Sequence, residues 1–350
     1  MRIVHVVYGL PMGGIETMLV NIANEQADLG HDIHIVVIND IIEQSLVARL
    51  DPKVTVHYLN RKMGSRNPLP VLRLNTTLFG IKPDVIHLHF ASISRYILIP
   101  SLRKKLCVTL HTVCKGDTIR DIEKIGTIFA ISDTVRLDIE NRFGLKAITV
   151  YNGIDTSSFR CRCNYLPDSK LFKILQVGRL DSQHKGQDIL LRAVSIIIKL
   201  GYNVTATFIG DGISRQRLEE LSREFGIEKS VDFIGRKSQE YVSTHISDYD
   251  LFVHPSRFEG FGLVVAEAMA AGVPVLVSDI DGPMEIIENG KCGYSFKSED
   301  YNDCANKIIE IINNYPPEEK IKQACQRINT EFNVRVTALK YLSYYKNLIK

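Results

Sequence analysis

The 350-residue chain lacks any apolar run near the ~20 residues that a membrane-spanning helix needs, and it has no Cys-x-x-Cys pair and no Gly-x-Gly-x-x-Gly turn. The first absence argues against a spanning helix. The opening Met1-Arg2-Ile3-Val4-His5-Val6-Val7 runs straight into a Gly-rich turn without a cleavage region, so the expected location is the cytosol. Seven scattered cysteines, at 107, 114, 161, 163, 292, 304 and 325, suit a reducing compartment. Cys161 and Cys163 read as incidental linker thiols, because adjacent-but-one cysteines rarely reach disulfide geometry. Without the dinucleotide spacing, a dehydrogenase is disfavoured. Net charge is only +3, with no zinc pattern and no aromatic-basic interleaving, so no nucleic-acid partner is expected.

What charge there is lies unevenly. Residues 1 to 165 hold 20 Lys/Arg against 15 Asp/Glu, whereas the remainder holds 23 against 25. Arg61, Lys62, Arg66 and Arg73, then Arg95, Arg103, Lys104 and Lys105, read as a solvated surface or as a basic face toward anionic lipid or an anionic acceptor.

At about twice the usual domain length, and with 45% hydrophobic and 24% charged residues, the chain should fold as two soluble-type domains. Strand signals near 2 to 8, 32 to 38, 54 to 59, 84 to 90, 106 to 111, 126 to 131 and 147 to 151 alternate with amphipathic stretches. In the first of these stretches Ile15, Met18, Leu19, Ile22 and Ala23 form one stripe, and Gly30 stands where the helix should stop. An aperiodic stretch at 157 to 169 reads as a linker. A second series follows, with strands near 172 to 178, 204 to 209, 231 to 234, 250 to 254, 273 to 278 and 293 to 296, and helices near 185 to 200, 214 to 225, 238 to 247, 262 to 271 and 283 to 288. This rhythm predicts an α/β protein of two doubly wound, Rossmann-like domains facing across a cleft, with ligands outside the carboxyl ends of the strands. Residues 1 to 160 form the first domain and 161 to 333 the second, with a helix at 334 to 350 packing back toward the first.

Two acids stand out. In Phe258-Glu259-Gly260-Phe261-Gly262-Leu263-Val264-Val265-Ala266-Glu267 one carboxylate lies in a Gly-rich turn and the other inside the helix that the turn opens. Glu267 shares a face with Leu263 and Ala270, where a carboxylate is costly unless hydrogen-bond donors meet it. Ligand hydroxyls could do so, as could a nearby Arg or Lys. At the end of the second domain's first strand, Gly178-Arg179-Leu180-Asp181-Ser182-Gln183-His184-Lys185-Gly186 puts two cations six residues apart on a loop that opens a helix. They could converge on a phosphate or diphosphate, Arg179 by forked hydrogen bonds and Lys185 as a point charge; Lys185 could also be a plain first-turn residue. The amino end of the helix begun by Leu263 and Val264 adds a further positive pole. Asp232-Phe233-Ile234-Gly235-Arg236-Lys237 could read a nucleobase edge. In the first domain, Gly13 and Gly14 before Glu16 leave backbone N–H groups accessible to an anion, or simply make a tight turn. His87 and His89 alternate on one strand face and could be metal ligands, but no third ligand is evident, which favours structural or acceptor-side roles.

Taken together, Gly13-Gly14 with Glu16, Asn152-Gly153-Ile154-Asp155 with Phe159, Gly178-Arg179-Leu180 to Lys185-Gly186, Gly210-Asp211-Gly212, Pro255-Ser256 and Glu259-Gly260-Phe261-Gly262 to Glu267 resemble the retaining family 4 glycosyltransferases of the GT-B fold. The resemblance runs in order over almost the whole chain. It implies a nucleotide-sugar donor held mainly by the second domain and a saccharide or lipid-linked saccharide acceptor held mainly by the first. By position, Arg179 and Lys185 would bind the diphosphate, with Gly178 and Gly14 approaching it by backbone, and Glu267 would hold the ribose hydroxyls. Glu259 would hold the sugar, with N–H groups of Gly260, Phe261 and Gly262 meeting its hydroxyls and those of Leu263 and Val264 the phosphates. His111 would lie beside the donor sugar, unless it is merely bonded at a strand end. Arg236 joins the donor side; Glu16 and His89 are acceptor-side candidates. No metal and no resident cofactor are implied. A UDP-sugar is expected over a GDP-sugar, in surface polysaccharide synthesis such as O-antigen or capsule, with possible peripheral contact at the inner membrane face. Pro283 departs from the family's usual glycine and bears on local loop shape, and the acceptor is not implied, because the first domain matches only at its first loop and at the strands of Asp84 and His111. The alternatives are an epimerase or phosphorylase of the same fold, or a catalytically silent binding subunit.

Overall fold

A computed structural model describes residues 1–112, 119–123, 125–162, 165 and 171–349. Cys114, Cys163 and most of the 163 to 169 portion of the expected linker lie outside the described residues. The chain divides into two compact units: Met1–Ile154 with Glu331–Lys350, and Asp155–Thr330.

The first unit is built on seven parallel strands: β1 Arg2–Val7, β2 Asp32–Asn39, β3 Thr55–Arg61, β4 Val85–Leu88, β5 Leu106–Leu110, β6 Thr127–Ala130 and β7 Ile148–Thr149. Their order is β3-β2-β1-β4-β5-β6-β7. Central strands of a parallel sheet are covered on both faces, which is why Ile3, Val4, Val6 and Val7 have no exposure, with His5 buried among them. The Met18, Leu19, Ile22 and Ala23 stripe of helix Gly14–Asp28 is buried, and Gly30 follows with φ +83. The final helix, Val334–Leu348, belongs to this unit. Asn333 caps it by accepting from Arg335 N–H at 2.8 Å, and Tyr341 and Tyr345 sink into the core, with the Tyr341 ring edge-on to Phe129 at 5.0 Å.

The second unit carries six parallel strands: β8 Phe172–Val177, β9 Val204–Ile209, β10 Val231–Phe233, β11 Leu251–His254, β12 Val275–Ser278 and β13 Tyr294–Phe296. Their order is β10-β9-β8-β11-β12-β13. In both sheets the chain works outward to one side and then returns to the other. The reversal falls between β1 and β4 in the first and between β8 and β11 in the second. Loops leaving such a pair at their carboxyl ends diverge and leave a crevice, so the topology alone marks where ligands bind.

Candidate functional site

In the second unit the loops after β8 and β11 are riveted together. Gly186 takes a left-handed φ of +62, and a Cβ there would stand 1.9 Å from the Pro255 carbonyl oxygen, so only glycine permits the approach. Arg257 N–H donates to the His184 carbonyl at 2.8 Å, and its guanidinium forks onto both oxygens of Asp188 at 2.8 and 3.0 Å while also reaching Glu299. This fixes the Lys185 ammonium 2.5 Å from Glu259 Oε2, and His254 Nε2 is 3.2 Å from the same oxygen. A carboxylate only accepts, so His254 carries its proton on Nε2. That leaves its Nδ1 bare, and Nδ1 is buried without a partner among the described residues.

Burial alone would raise the Glu259 pKa, but the His254 hydrogen bond and the Lys185 charge outweigh it and hold the carboxyl at about 2. His254 itself is pushed below its usual value by burial and stays neutral. Arg179 differs from Lys185: its side chain is 68% exposed against 22%, and Nη2 rests 3.2 Å from Asp181 Oδ2. The two cations share one loop, but each stands against its own acid.

Nearby turns complete the edge. A Cβ on Gly210, at φ +146, would fall 1.9 Å from the Gly178 carbonyl oxygen; Gly210 N–H donates to the Gly235 carbonyl at 3.0 Å, bringing the exposed Arg236 alongside. Gly262, at φ +107, opens helix Leu263–Ala270, whose first N–H groups have no acceptor within the helix. The Phe261 side chain is core. Glu267 is buried and accepts from Gln239 Nε2 at 3.0 Å, so one donor that it required is an amide on helix Gln239–His245. Pro283 falls in the first turn of helix Asp281–Ile286, where its missing N–H costs nothing.

The first unit's reversal point has a different chemistry. The Glu16 carboxylate folds back over the first loop, so that a Cβ on Gly13 would lie 2.5 Å from Oε2, and burial raises its pKa. His87 and His89 do share a face of β4, but a third histidine joins them. His5 pairs with His87 in the β1–β4 register, and one ring nitrogen from each of the three falls within 4.8 Å of the others. The lack of a third ligand is therefore corrected: the partner lies 82 residues upstream, where only parallel pairing reveals it. All six ring nitrogens have protein partners. His5 Nε2 meets Gln26 Oε1 at 2.8 Å and Nδ1 meets His89 Nε2 at 3.1 Å; His87 bonds Tyr345 and Thr109; His89 Nδ1 meets His111 Nε2 at 3.3 Å. His89 is buried with both nitrogens taken, so it cannot touch an acceptor, and its acceptor-side reading is corrected to one of support.

The two strand reversals thus carry different groups, one charged and one a buried cluster of imidazoles. The family described as Glycosyl transferases group 1 matches residues 162–327, and Glycosyltransferase Family 4 matches residues 12–158. The chain belongs to the GT-B glycosyltransferases. An uncharacterised glycosyltransferase of Methanocaldococcus jannaschii is 29% identical over 59% of this chain and 54% of its own, so the chain spans about half the length of that relative. The capsular polysaccharide biosynthesis glycosyltransferase CapM of Staphylococcus aureus is 29% identical over 64% of this chain and 62% of its own. In fold, the chain matches the crystal structure of Anabaena HepE in complex with UDP and glucose, with a TM-score of 0.83 at 21% identity over 99% of both chains. Among the described residues no helix is long and apolar enough to cross a membrane.

Reading the sequence missed His254, Asp181, Arg257, Gln239, His5 and Gln26. Only His254 gave a local signal, as a polar residue closing an apolar strand five positions before Glu259.

Proposed function

We propose that this glycosyltransferase is a retaining enzyme that moves a hexose or N-acetylhexosamine from a UDP-sugar to a saccharide or lipid-linked saccharide acceptor in surface polysaccharide assembly. The observation that carries the reading is the Lys185–Glu259–His254 group at the strand reversal of the second unit, beside the amino end of helix Leu263–Ala270. In the reaction the anomeric C–O bond to the diphosphate breaks and a new C–O bond forms to the acceptor hydroxyl, whose proton passes to the departing phosphate oxygen on the same face. Negative charge grows on the phosphates, where Arg179, Lys185 and the N–H groups of Leu263 and Val264 stabilise it. Gly178 approaches the diphosphate by backbone, Glu267 takes the ribose hydroxyls, and Arg236 borders the base. A carboxyl held at about 2 is too weak a base to deprotonate an alcohol, so Glu259 positions the sugar together with the Gly260, Phe261 and Gly262 backbone; in the first unit His111 is assigned to a sugar hydroxyl.

The UDP preference draws support from the Anabaena complex, and the pathway from the capsular relative. Contact with an anionic membrane face draws support from residues 52 to 83, which hold six Lys/Arg and no Asp/Glu. Exposed Met63, Leu69, Leu72 and Phe79 lie among the exposed Lys62, Arg66 and Arg73 there. The test is to supply a panel of nucleotide sugars with and without an acceptor alcohol and to determine the product's anomeric configuration by NMR. Donor consumption only with acceptor, with configuration kept and UDP-sugars preferred, is expected. Epimerisation without acceptor, a requirement for free phosphate, or inversion overturns the reading.

A further inference from the structure

The geometry points to His5 and His89, anchored by Gln26, as positioning residues that hold His111 in its Nε2–H tautomer, so that His111 Nδ1 presents a lone pair to a sugar hydroxyl. This rests on the assignment of His111 to a sugar hydroxyl proposed above.

The logic is a chain of single protons. The Gln26 amide oxygen can only accept, so His5 Nε2, 2.8 Å away, carries the hydrogen. A neutral ring has one N–H, so His5 Nδ1 accepts, and the donor is His89 Nε2 at 3.1 Å. His89 Nδ1 must then accept from His111 Nε2 at 3.3 Å. The wire ends at His111 Nδ1, which is shielded from solvent and has no partner among the described residues. Of the eight ring nitrogens in His5, His87, His89 and His111 it is the one without a partner among the described residues.

Neutrality is what gives the wire one direction. Burial lowers His5 to about 4 and His111 to about 3, and it pushes His89 well below its usual value. A proton added to His5 or His89 would set two N–H groups against each other, and one added to His111 would occupy the open Nδ1. Stacking holds the planes: the His89 and His111 rings are 5.5 Å apart at 24°. His87, on the same face, is tied to Tyr345 and Thr109 and lies outside the wire. The consequence is selectivity. An acceptor-only nitrogen complements a hydroxyl and repels a phosphate or carbonyl oxygen, so it admits the sugar and turns the diphosphate away.

The unliganded wild-type protein, labelled with 15N-histidine, tests the wire by ring-nitrogen NMR at neutral pH, with His111 assigned through His111→Asn. A bare Nδ1 and protonated Nε2 are expected; an Nδ1–H tautomer overturns the proposal whatever the activity. Gln26→Met releases the anchor, so His111 should become a tautomer mixture, with turnover down about tenfold, the worth of one hydrogen bond, and donor KM little changed. His89→Phe combined with His111→Ala should be no slower than His111→Ala alone; additive losses contradict the relay. If His111→Ala transfers at the wild-type rate while the tautomer is as stated, the sugar contact fails and the wire stands alone.

Discussion

The two units solve the same topological problem with opposite electrostatics. In each, a parallel sheet reverses its strand order and opens a crevice at its carboxyl edge. The second unit fills that edge with full charges, Lys185 against Glu259 and Arg179 against Asp181, clamped by Arg257. The first fills it with neutral imidazoles linked ring to ring. Stabilising a leaving diphosphate calls for fixed charge, whereas orienting hydroxyls calls for directional acceptors. The difference shows that the fold supplies a place and that the side chains supply the task.

The largest break in the comparison comes from removing charge. Lys185→Ala and Arg179→Ala should each lower turnover by about 10²- to 10³-fold, measured as acceptor-dependent donor consumption. Equal turnover in either variant would remove the electrostatic role. Glu259→Gln should slow transfer by a smaller factor with the product's configuration unchanged, and inversion seen by NMR would sink its positioning role.

Backbone comes next. Gly186→Ala must relieve a 1.9 Å approach to the Pro255 carbonyl, whereas a Cβ on Gly144, at φ +66 in the first unit, meets nothing within 4 Å. Urea unfolding should show a loss of about 3 kcal/mol or more for the first and about 1 kcal/mol for the second.

The smallest and most diagnostic effect is with pH. His5 and His111 have folded values of about 4 and 3 against an ordinary 6.5, so between those limits the unfolded chain binds more protons and the first unit loses stability as pH falls from about 6.5. Glu259, at about 2 against 4.5, stabilises the second unit fully above 4.5, and that contribution disappears as pH falls from 4.5 toward 2. His254 gives the second unit a loss of the same sign, but the first unit carries four such imidazoles in His5, His87, His89 and His111, so hydrogen exchange should show first-unit core amides losing more protection than second-unit amides as pH falls from 6.5 to 4.5; the reverse order would refute the contrast.

Much of this was legible residue by residue. Every strand expected from an apolar run is present, because a central parallel strand must be apolar on both faces. Glu259, Arg179 and Lys185 announced themselves by standing in Gly-rich turns after such strands. What could not be read was who meets whom. Gln239 serves Glu267 across 28 residues, and His5 reaches His89 across 84. Their spacing in the sequence leaves Arg179 and Lys185 free to converge on a ligand, yet each already faces an acid.

The sequence by itself determined the elements, the glycine turns and the inventory of chemical groups, since these depend on periodicity and on local backbone freedom. The tertiary structure alone decided the Lys185–Glu259–His254 contact, the clamp of Arg257 on Asp188 and the direction of the histidine wire. Those depend on strand order and register, which bring distant stretches into hydrogen-bond contact and which no local pattern encodes.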